Sequence, residues 1–230
     1  MKKILMISAS LLLLITFVPN ANAQEEEASK WNPGLDLYTS YLWRGTKFGT
    51  GPSFQPGLKY SNKGFTIGAW GAYSFSNNKF NTADSLVVDA YMEADLYASY
   101  SISLGEKSSL TFLVTDYFFP GEGSKYLESD SHYFEPAITL GLGNFSLFGA
   151  YMTNANDTYI EAGYNAGPVS LFAGAGDGQY TVDGKFNVCN LGLKSSKEIK
   201  ITDTFSIPLN GSIVFNPSNE QFHIVVGISL

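Results

Sequence analysis

Apolar and polar residues alternate along most of the chain, and this period places successive side chains on opposite faces of a β-strand. The clearest example begins at Val88, from which every second residue is apolar as far as Ile102. The opposite face carries the carboxylates Asp89, Glu93 and Asp95. An extended segment of this kind needs surroundings that are apolar on one side and polar on the other.

About twelve segments repeat the alternation and are predicted to be strands. They are residues 35–45, 53–61, 64–76, 88–102, 109–119, 133–141, 145–153, 157–165, 169–176, 186–194, 205–215 and 221–230. Two of them are irregular. In the fifth, Asp116 falls on the apolar side, which predicts a β-bulge there, and the tenth is irregular at its start. If two weak segments merge, ten strands remain.

The connections between these segments differ in length. Tight connections at 61–63, 142–144 and 166–168 follow even-numbered strands, while longer polar ones at 76–85, 120–132 and 177–185 follow odd-numbered strands. Short turns at one end and longer loops at the other are typical of outer-membrane barrels. A long connection at 195–203 and two short ones, at 153–156 and 217–220, depart from this rule.

Composition supports an all-β membrane protein. Aromatic residues make up 15% of the chain and charged residues also 15%, whereas soluble domains carry roughly 25% charged residues. The formal net charge of −7 argues against a nucleic-acid partner, since phosphate binding needs clustered basic residues. The single cysteine, Cys189, excludes an internal disulfide and is predicted to face lipid as a small apolar residue.

The first residues have the features of a secretory signal. Lys2 and Lys3 precede an apolar run that ends at Val18, and Ala21 and Ala23 form a small-residue cleavage site. The run is too short for a membrane helix of roughly 20 residues. We therefore predict a signal peptide at 1–23, a periplasmic stub at 24–33 and a barrel at 34–230, with export to the cell outer membrane.

Two β architectures have alternating strands. A soluble sandwich or lipocalin-type barrel turns its apolar faces inward, and twelve such faces exceed what a small interior can bury. An outer-membrane barrel turns them toward lipid and encloses a polar lumen. The pattern predicts a transmembrane antiparallel up-and-down β-barrel of about 12 strands, with 10 possible. Aromatic residues near strand ends are predicted to form interface girdles; these are Tyr41, Trp43, Tyr60, Phe75 and Tyr100.

Several motifs carry a resemblance to a known family. SYLWRG is followed by GLKYSNKGFTIGAWGAYSF and then by a strand of the form E-x-D-L-Y-x-S-Y. Together they resemble the TorF-type porin family of bacterial outer-membrane proteins, whose YxxRG motif corresponds to Tyr41–Gly45. The likeness covers roughly residues 35–164. It implies a porin and gives little information about the substrate. The barrel interpretation gives outer-membrane lipid and the outer-membrane assembly machinery as partners, and the porin hypothesis gives small polar solutes or ions as cargo.

The alternation also predicts which charged residues line the lumen. Inward acids are Asp36, Asp89, Glu93, Asp95, Glu135 and Glu161, and inward bases are Arg44, Lys59 and Lys194, with His223 joining them at low pH. The excess of acids predicts a slight preference for cations. Two interpretations stay open: Arg44, Glu93 and Asp95 form part of a constriction, or the charges pair in a plug that fills a narrow interior.

The sequence offers little evidence of catalysis. His132, in a predicted loop, and His223 lie in no recognisable nucleophile motif, so we predict no catalytic residue and no enzyme activity. Glu93 and Asp95 have the spacing of lumen-lining residues rather than of an acid–base pair. The acidic loops 127–131 and 176–185 are read as solvated turns rather than Ca²⁺ sites; no metal and no cofactor is predicted.

Two functional hypotheses follow. The first is an outer-membrane porin that allows passive diffusion of small polar solutes or ions through a narrow, slightly acidic lumen. The alternative is a non-conducting outer-membrane barrel with a structural or surface-binding role, carried by the loops at 76–85 and 120–132. An outer-membrane lipid-modifying enzyme is a third and weaker hypothesis.

Overall fold

The structure, a computed structural model, describes residues 30–75, 78–80, 86–88, 91–121 and 124–230. Twelve antiparallel strands form a closed barrel, which confirms the predicted all-β fold and strand number. The barrel strands are β1 (Trp31–Tyr38), β4 (Ser53–Asn62), β5 (Phe65–Ser74), β8 (Met92–Ser103), β9 (Ser108–Phe118), β10 (His132–Leu142), β11 (Phe145–Met152), β12 (Asp157–Asn165), β13 (Ser170–Gly176), β14 (Asn187–Lys200), β15 (Ser206–Asn216) and β16 (Gln221–Ser229).

Each barrel strand pairs with its neighbours along the chain, and pairing of β1 with β16 closes the ring. Two short hairpins lie outside this sheet: β2 (Tyr41–Trp43) with β3 (Thr46–Phe48), and β6 (Asn78–Phe80) with β7 (Leu86–Val88). In the part of the chain that the structure describes, no helix is long and apolar enough to cross a membrane.

The apolar faces of the strands point away from the barrel interior. In β8, Met92, Leu96 and Tyr100 are exposed on the outside, whereas Glu93 and Asp95 are buried inside. The same division holds in the other barrel strands; exposed outer residues include Leu58, Ile67, Phe112, Val114, Ile138, Leu147, Ile160, Leu171, Leu193, Ile213 and Ile224. A soluble barrel has the opposite arrangement, because its polar faces are in contact with water and its apolar faces pack in the interior.

The two ends of the barrel differ. At the end where β1 begins and β16 ends, here called the termini end, the connections are short: 63–64, 104–107, 143–144, 166–169 and 201–205. The opposite end, here called the loop end, carries the longer connections at 39–52, 75–91, 119–131 and 177–186. The predicted asymmetry is thus present. The long connection expected at 195–203 was wrong, since β14 continues to Lys200.

Exposed aromatic side chains gather on the outer surface near both ends. At the termini end they are Trp31, Phe65, Tyr100, Phe145 and Tyr164, and at the loop end Tyr73, Phe75, Phe134, Tyr151, Phe215 and Phe222. Trp31 packs on Tyr60 with ring centroids 5.2 Å apart, and Phe145 packs on Tyr164 at 4.6 Å. Aliphatic residues occupy the outer surface between the two groups.

Two local predictions were wrong. No bulge lies at Asp116, because β9 keeps a regular register with both neighbours through that residue. The register shift lies instead between Gly174 and Ala175 of β13, opposite the start of β14, where Cys189 is the extra residue. The bulge takes Cys189 out of the alternation, so its side chain is buried rather than facing lipid.

The first predicted strand is also divided differently. β1 begins at Trp31, three residues before the predicted start of the barrel, and ends at Tyr38. The stretch Tyr41–Phe48 is a separate hairpin whose turn residues Arg44 and Gly45 both have positive φ, 48° and 82°, as a type I′ turn requires. This internal hairpin folds into the barrel, so Tyr41 and Trp43 are buried there and are not girdle residues.

Candidate functional site: the internal hairpin and the vestibule

The internal hairpin reaches strands on several sides of the barrel. Tyr41 packs against Trp70 of β5 with centroids 5.5 Å apart. Trp43 packs against Tyr117 of β9 at 5.9 Å. At the turn, the Asn216 side chain of β15 donates a hydrogen bond to the Gly45 carbonyl at 3.1 Å. Since these strands lie on different sides of the ring, the hairpin crosses the lumen.

Arg44, at the tip of the hairpin, is fixed to the opposite wall by Glu135 of β10. Its two terminal nitrogens donate to the two carboxylate oxygens of Glu135 at 2.6 and 2.7 Å, a bidentate geometry that strengthens the pair. The side chains of Arg44 and Glu135 are 5% and 1% exposed. A buried pair of this kind holds its two elements together, because separating it leaves two unpaired charges.

Hydroxyl groups complete the coordination of this ion pair. Tyr180, in a 3-10 turn of the 177–186 loop, accepts a hydrogen bond from Arg44 at 2.6 Å and lies 3.3 Å from a Glu135 oxygen. Tyr117 donates to the other Glu135 oxygen at 3.1 Å. Burial raises the pKa of the Tyr180 phenol well above its ordinary value, so the hydroxyl keeps its proton.

Aromatic rings surround the Arg44 guanidinium. Its central carbon lies 4.5 Å from the ring centroids of both Trp43 and Tyr159, and 5.3 Å from that of Phe148. Such contacts favour a cation in a site shielded from water. Hairpin, loop and barrel wall therefore meet in one cluster around Arg44.

Gly45 is the residue that lets the hairpin tip come so close to the wall. A β-carbon at this position would collide with the carbonyl oxygen of Cys189, and the positive φ disfavours other residues. The bulge at Cys189 therefore provides the wall position against which the tip rests.

Glu93 and Asp95 lie beside the aromatic part of the hairpin rather than beside Arg44. Tyr91 donates to Glu93 at 2.7 Å. Asp95 is 1% exposed, and neither of its carboxylate oxygens has a hydrogen-bond partner among the described residues. The base that the sequence placed with these two acids binds Glu135 instead.

A cavity of about 420 Å³ occupies the interior between the hairpin and the termini end; we call it the vestibule. Residues 41–45 of the hairpin form its roof, and Asn32, Pro33 and Leu230 lie at its opposite margin. Its walls include Gln55, Trp70, Tyr97, Phe172, Asn190, Ser212 and Val225. The charged residues that line it are Asp36, Lys59, Lys194 and, in the roof, Arg44.

The nine predicted lumen residues thus fall into separate groups. Asp36, Arg44, Lys59 and Lys194 line the vestibule, and Glu135 binds Arg44. Glu161 accepts hydrogen bonds from Tyr159 at 2.6 Å and Asn190 at 3.0 Å. Glu93 and Asp95 are buried beside the hairpin. Asp89 lies outside the described residues.

Sequence reasoning missed several residues of the cluster around Arg44. Tyr117, Tyr159, Tyr180, Asn190 and Asn216 were not predicted to take part. No spacing in the sequence indicated that these five residues would lie close together. Gly45, between Tyr41–Trp43 and Thr46–Phe48, is a turn residue, and it was the available clue to the hairpin itself.

His132 was predicted to lie in a loop, but it is the first residue of β10 and sits at the outer face. Its Nδ1 lies 2.9 Å from the Asp116 carboxylate, and its Nε2 lies 2.6 Å from the Tyr126 carbonyl. The ring also stacks on Phe118 at 5.3 Å. These contacts fasten the 119–131 loop to the outer wall.

Cys189 provides a test of the bulge. We expect N-ethylmaleimide, which also enters lipid, to react with Cys189 in the folded protein roughly tenfold or more slowly than after heat denaturation, because the side chain is 0% exposed and reaction requires opening of the structure. The control is a variant that combines C189S with L127C, since Leu127 is 95% exposed. Equal labelling rates for Cys189 and this control would contradict the assigned position.

These features define the class of protein: a twelve-stranded closed β-barrel with outward apolar faces and an internal hairpin across its lumen. The chain belongs to the family described as "Bacterial protein of unknown function (Gcw_chp)", whose model matches residues 23–205. A comparison with curated proteins gives no match. The resemblance to TorF-type porins stays a prediction.

Proposed function

We propose that this chain is an outer-membrane β-barrel whose lumen is closed to free diffusion at rest by the internal hairpin. The observation that carries the proposal is the bidentate pair between Arg44 and Glu135, which ties the hairpin tip to the wall across the lumen. Sealing is aided by the aromatic packing on both sides of the tip.

The outer surface supports the membrane part of the proposal. Aliphatic residues cover the middle of the barrel and aromatic residues both ends, as in barrels that cross a bilayer. Most strands have 8 to 12 residues, close to the roughly 9–11 that a tilted strand needs. Outer-membrane lipid and the assembly machinery are the implied partners, and the termini end faces the periplasm.

A porin function after movement of the hairpin is the second candidate. The hairpin forms its own two-stranded sheet and takes no part in the barrel ladder. It can therefore move without breaking a barrel strand, and small polar solutes or ions would pass while it is displaced. On this account the channel is gated rather than permanently open.

Planar-bilayer recording tests the proposal. The mature chain is first shown to be folded by heat-modifiable migration on a gel, where the unboiled form runs faster. We expect the folded protein to insert and give no steady ion current at low voltage, because the hairpin crosses the lumen. A steady current from most insertions of folded protein would overturn the closed state and favour an open porin.

A further inference from the structure

We propose that the vestibule binds a neutral sugar with a pyranose ring, which enters from the termini end and stacks on aromatic rings of the barrel wall. The inference rests on the proposed function, because the internal hairpin in its closed position is the roof of the binding site. It names a substrate class for a lumen whose solutes the porin hypothesis leaves open.

Three aromatic side chains of the vestibule wall each lie opposite a glycine of the neighbouring strand. The pairs are Tyr38 with Gly227, Tyr97 with Gly68 and Phe172 with Gly192. All three aromatic residues line the vestibule, and a β-carbon at any of the three glycines would collide with the facing ring. Each ring therefore lies along the wall above its glycine, because glycine lets a side chain come this close to the neighbouring backbone.

The position of the rings gives the vestibule both its space and its binding surface. A ring that lies along the wall does not project into the lumen, so room for a ligand remains. Its other face is turned toward the interior, and Tyr97 and Phe172 are half-buried, so part of their surface is accessible from the vestibule. The cavity volume of about 420 Å³ lies in the range of roughly 300–1,000 Å³ that ligand sites occupy.

Neutral polar groups lie among the rings of the vestibule wall. They are amides and hydroxyls of the lining residues Asn32, Gln55, Ser212 and Ser229. Such groups both donate and accept hydrogen bonds, as the hydroxyl groups of a sugar require. The Lys194 ammonium, 5.8 Å from the Phe172 ring centroid, is a further donor beside that ring.

The charges of the vestibule do not favour an ion of either sign. Arg44 is bound by Glu135, and the Glu161 carboxylate of the wall acts on Lys194. The remaining charged residues of the described lining carry one charge of each sign; they are Asp36 and Lys59. A charged ligand would therefore lose hydration without meeting an excess of opposite charge, a cost that a neutral ligand avoids.

A pyranose ring combines the two features that this lining matches. C–H groups cover its faces and are attracted to the negative face of an aromatic ring, while hydroxyl groups surround its edge. A hydrocarbon ring would displace water from the amides without replacing the hydrogen bonds of that water. An open-chain polyol would replace those bonds but has no ring face to stack on the aromatic side chains.

The route of entry follows from the position of the roof. Residues 41–45 close the vestibule toward the loop end, while Asn32 and Leu230 lie at its margin on the termini end. A sugar would thus enter from the side where the chain begins and ends. In the proposed orientation, that side is the periplasm.

Three probes of similar size test the ligand class: methyl β-D-glucopyranoside, sorbitol and methyl β-D-glucuronide. Binding to the folded mature protein in nanodiscs is measured by titration with saturation-transfer NMR, with empty nanodiscs as background. We expect the glucoside to bind roughly fivefold or more tightly than sorbitol, which lacks ring faces, and than the glucuronide, which carries a carboxylate. No binding of the glucoside, or equal or tighter binding of either other probe, would overturn the inference.

Variants test the rings on which the inference depends. Y97L and F172L keep an apolar side chain but remove a stacking surface, and each should weaken glucoside binding by about two- to tenfold. G68A should also weaken it, because the added methyl group pushes the Tyr97 ring into the vestibule. The matched control is F112L, since Phe112 lies on the outer face and is 47% exposed; this variant should leave binding unchanged.

The controls separate loss of the site from loss of the fold. Heat-modifiable migration on a gel shows which variants are folded, and the comparison of the three probes needs no variant. Unchanged binding in folded Y97L and F172L, or an equal loss in F112L, would overturn the inference. A silent bilayer with no glucoside binding rejects only the sugar site, whereas a steady current rejects the closed barrel whatever the glucoside does.

Discussion

Replacing Arg44 with methionine should lower the free energy of unfolding by about 3–5 kcal/mol, the usual cost of breaking a buried ion pair. The loss is large because Glu135 is 1% exposed and, among the described residues, would keep the Tyr117 and Tyr180 hydroxyls as its hydrogen-bond partners. The measurement is urea unfolding of the protein in lipid vesicles, followed by tryptophan fluorescence.

Two further variants make this result specific. K47M removes a positive charge from an exposed position of the same hairpin, and it should change stability by less than about 0.5 kcal/mol. The double variant R44M/E135Q should be more stable than R44M alone, because no unpaired carboxylate remains. Two results would show that the ion pair does not fasten the hairpin. One is that K47M lowers the free energy of unfolding as much as R44M, and the other is that the effects of R44M and E135Q are additive in the double variant.

The second large effect is expected on the outer surface. Introducing arginine at Ile138, in the middle of β10, should destabilise the barrel by about 2–4 kcal/mol, the cost of a charge at the bilayer midplane. Leu142, at the end of the same strand and face, should tolerate arginine at a cost of about 0–1 kcal/mol. The two side chains are 44% and 45% exposed, so surface exposure does not distinguish them.

Unfolding of I138R and L142R in vesicles measures this difference directly. In a water-soluble barrel both positions would face solvent, and an exposed charge would be nearly neutral at either. Equal stabilities of I138R and L142R would therefore exclude a lipid-facing outer wall. A loss confined to I138R would place the middle of β10 in hydrocarbon.

The barrel could be predicted from the sequence because alternation is a local property. In β16, the positions expected on one face, from Phe222 to Ile228, lie on the outside, and His223 and Val225 face inward. Leu230, expected on the outer face as well, follows the strand and lies at the margin of the vestibule. In β8 the carboxylates of Glu93 and Asp95 are inside as expected. When twelve such segments close into a barrel, the backbone groups at every strand edge are paired, and few other arrangements achieve this.

The internal hairpin could not be recognised from alternation alone. A barrel strand and a buried hairpin have the same period of two, so residues 35–45 were read as one strand. Aromatic residues such as Tyr41 and Trp43 suit both a girdle at the membrane interface and a hairpin buried in the barrel. The girdle was the simpler explanation. Tyr41 and Trp43 lie inside because Arg44 and Gly45 form a type I′ turn and because Arg44 binds Glu135. Glu135 is 91 residues further along the chain.

The charged members of the candidate site were predicted, but their pairing was not. Arg44 and Glu135 were both expected inside, yet Arg44 was grouped with Glu93 and Asp95. Such partners depend on the register of strands far apart in sequence. Cys189 shows the same limit on a smaller scale: one extra residue at the bulge reverses the face that alternation assigns.

The most direct test of a barrel closed by its own hairpin is to remove the hairpin. Tyr41 and Phe48 are cross-strand partners, so residues 41–48 can be replaced by two glycines without stretching the chain. In planar bilayers we predict a steady current from the folded deletion variant and none from the folded intact protein. Equal behaviour of the two proteins, both conducting or both silent, would contradict the account.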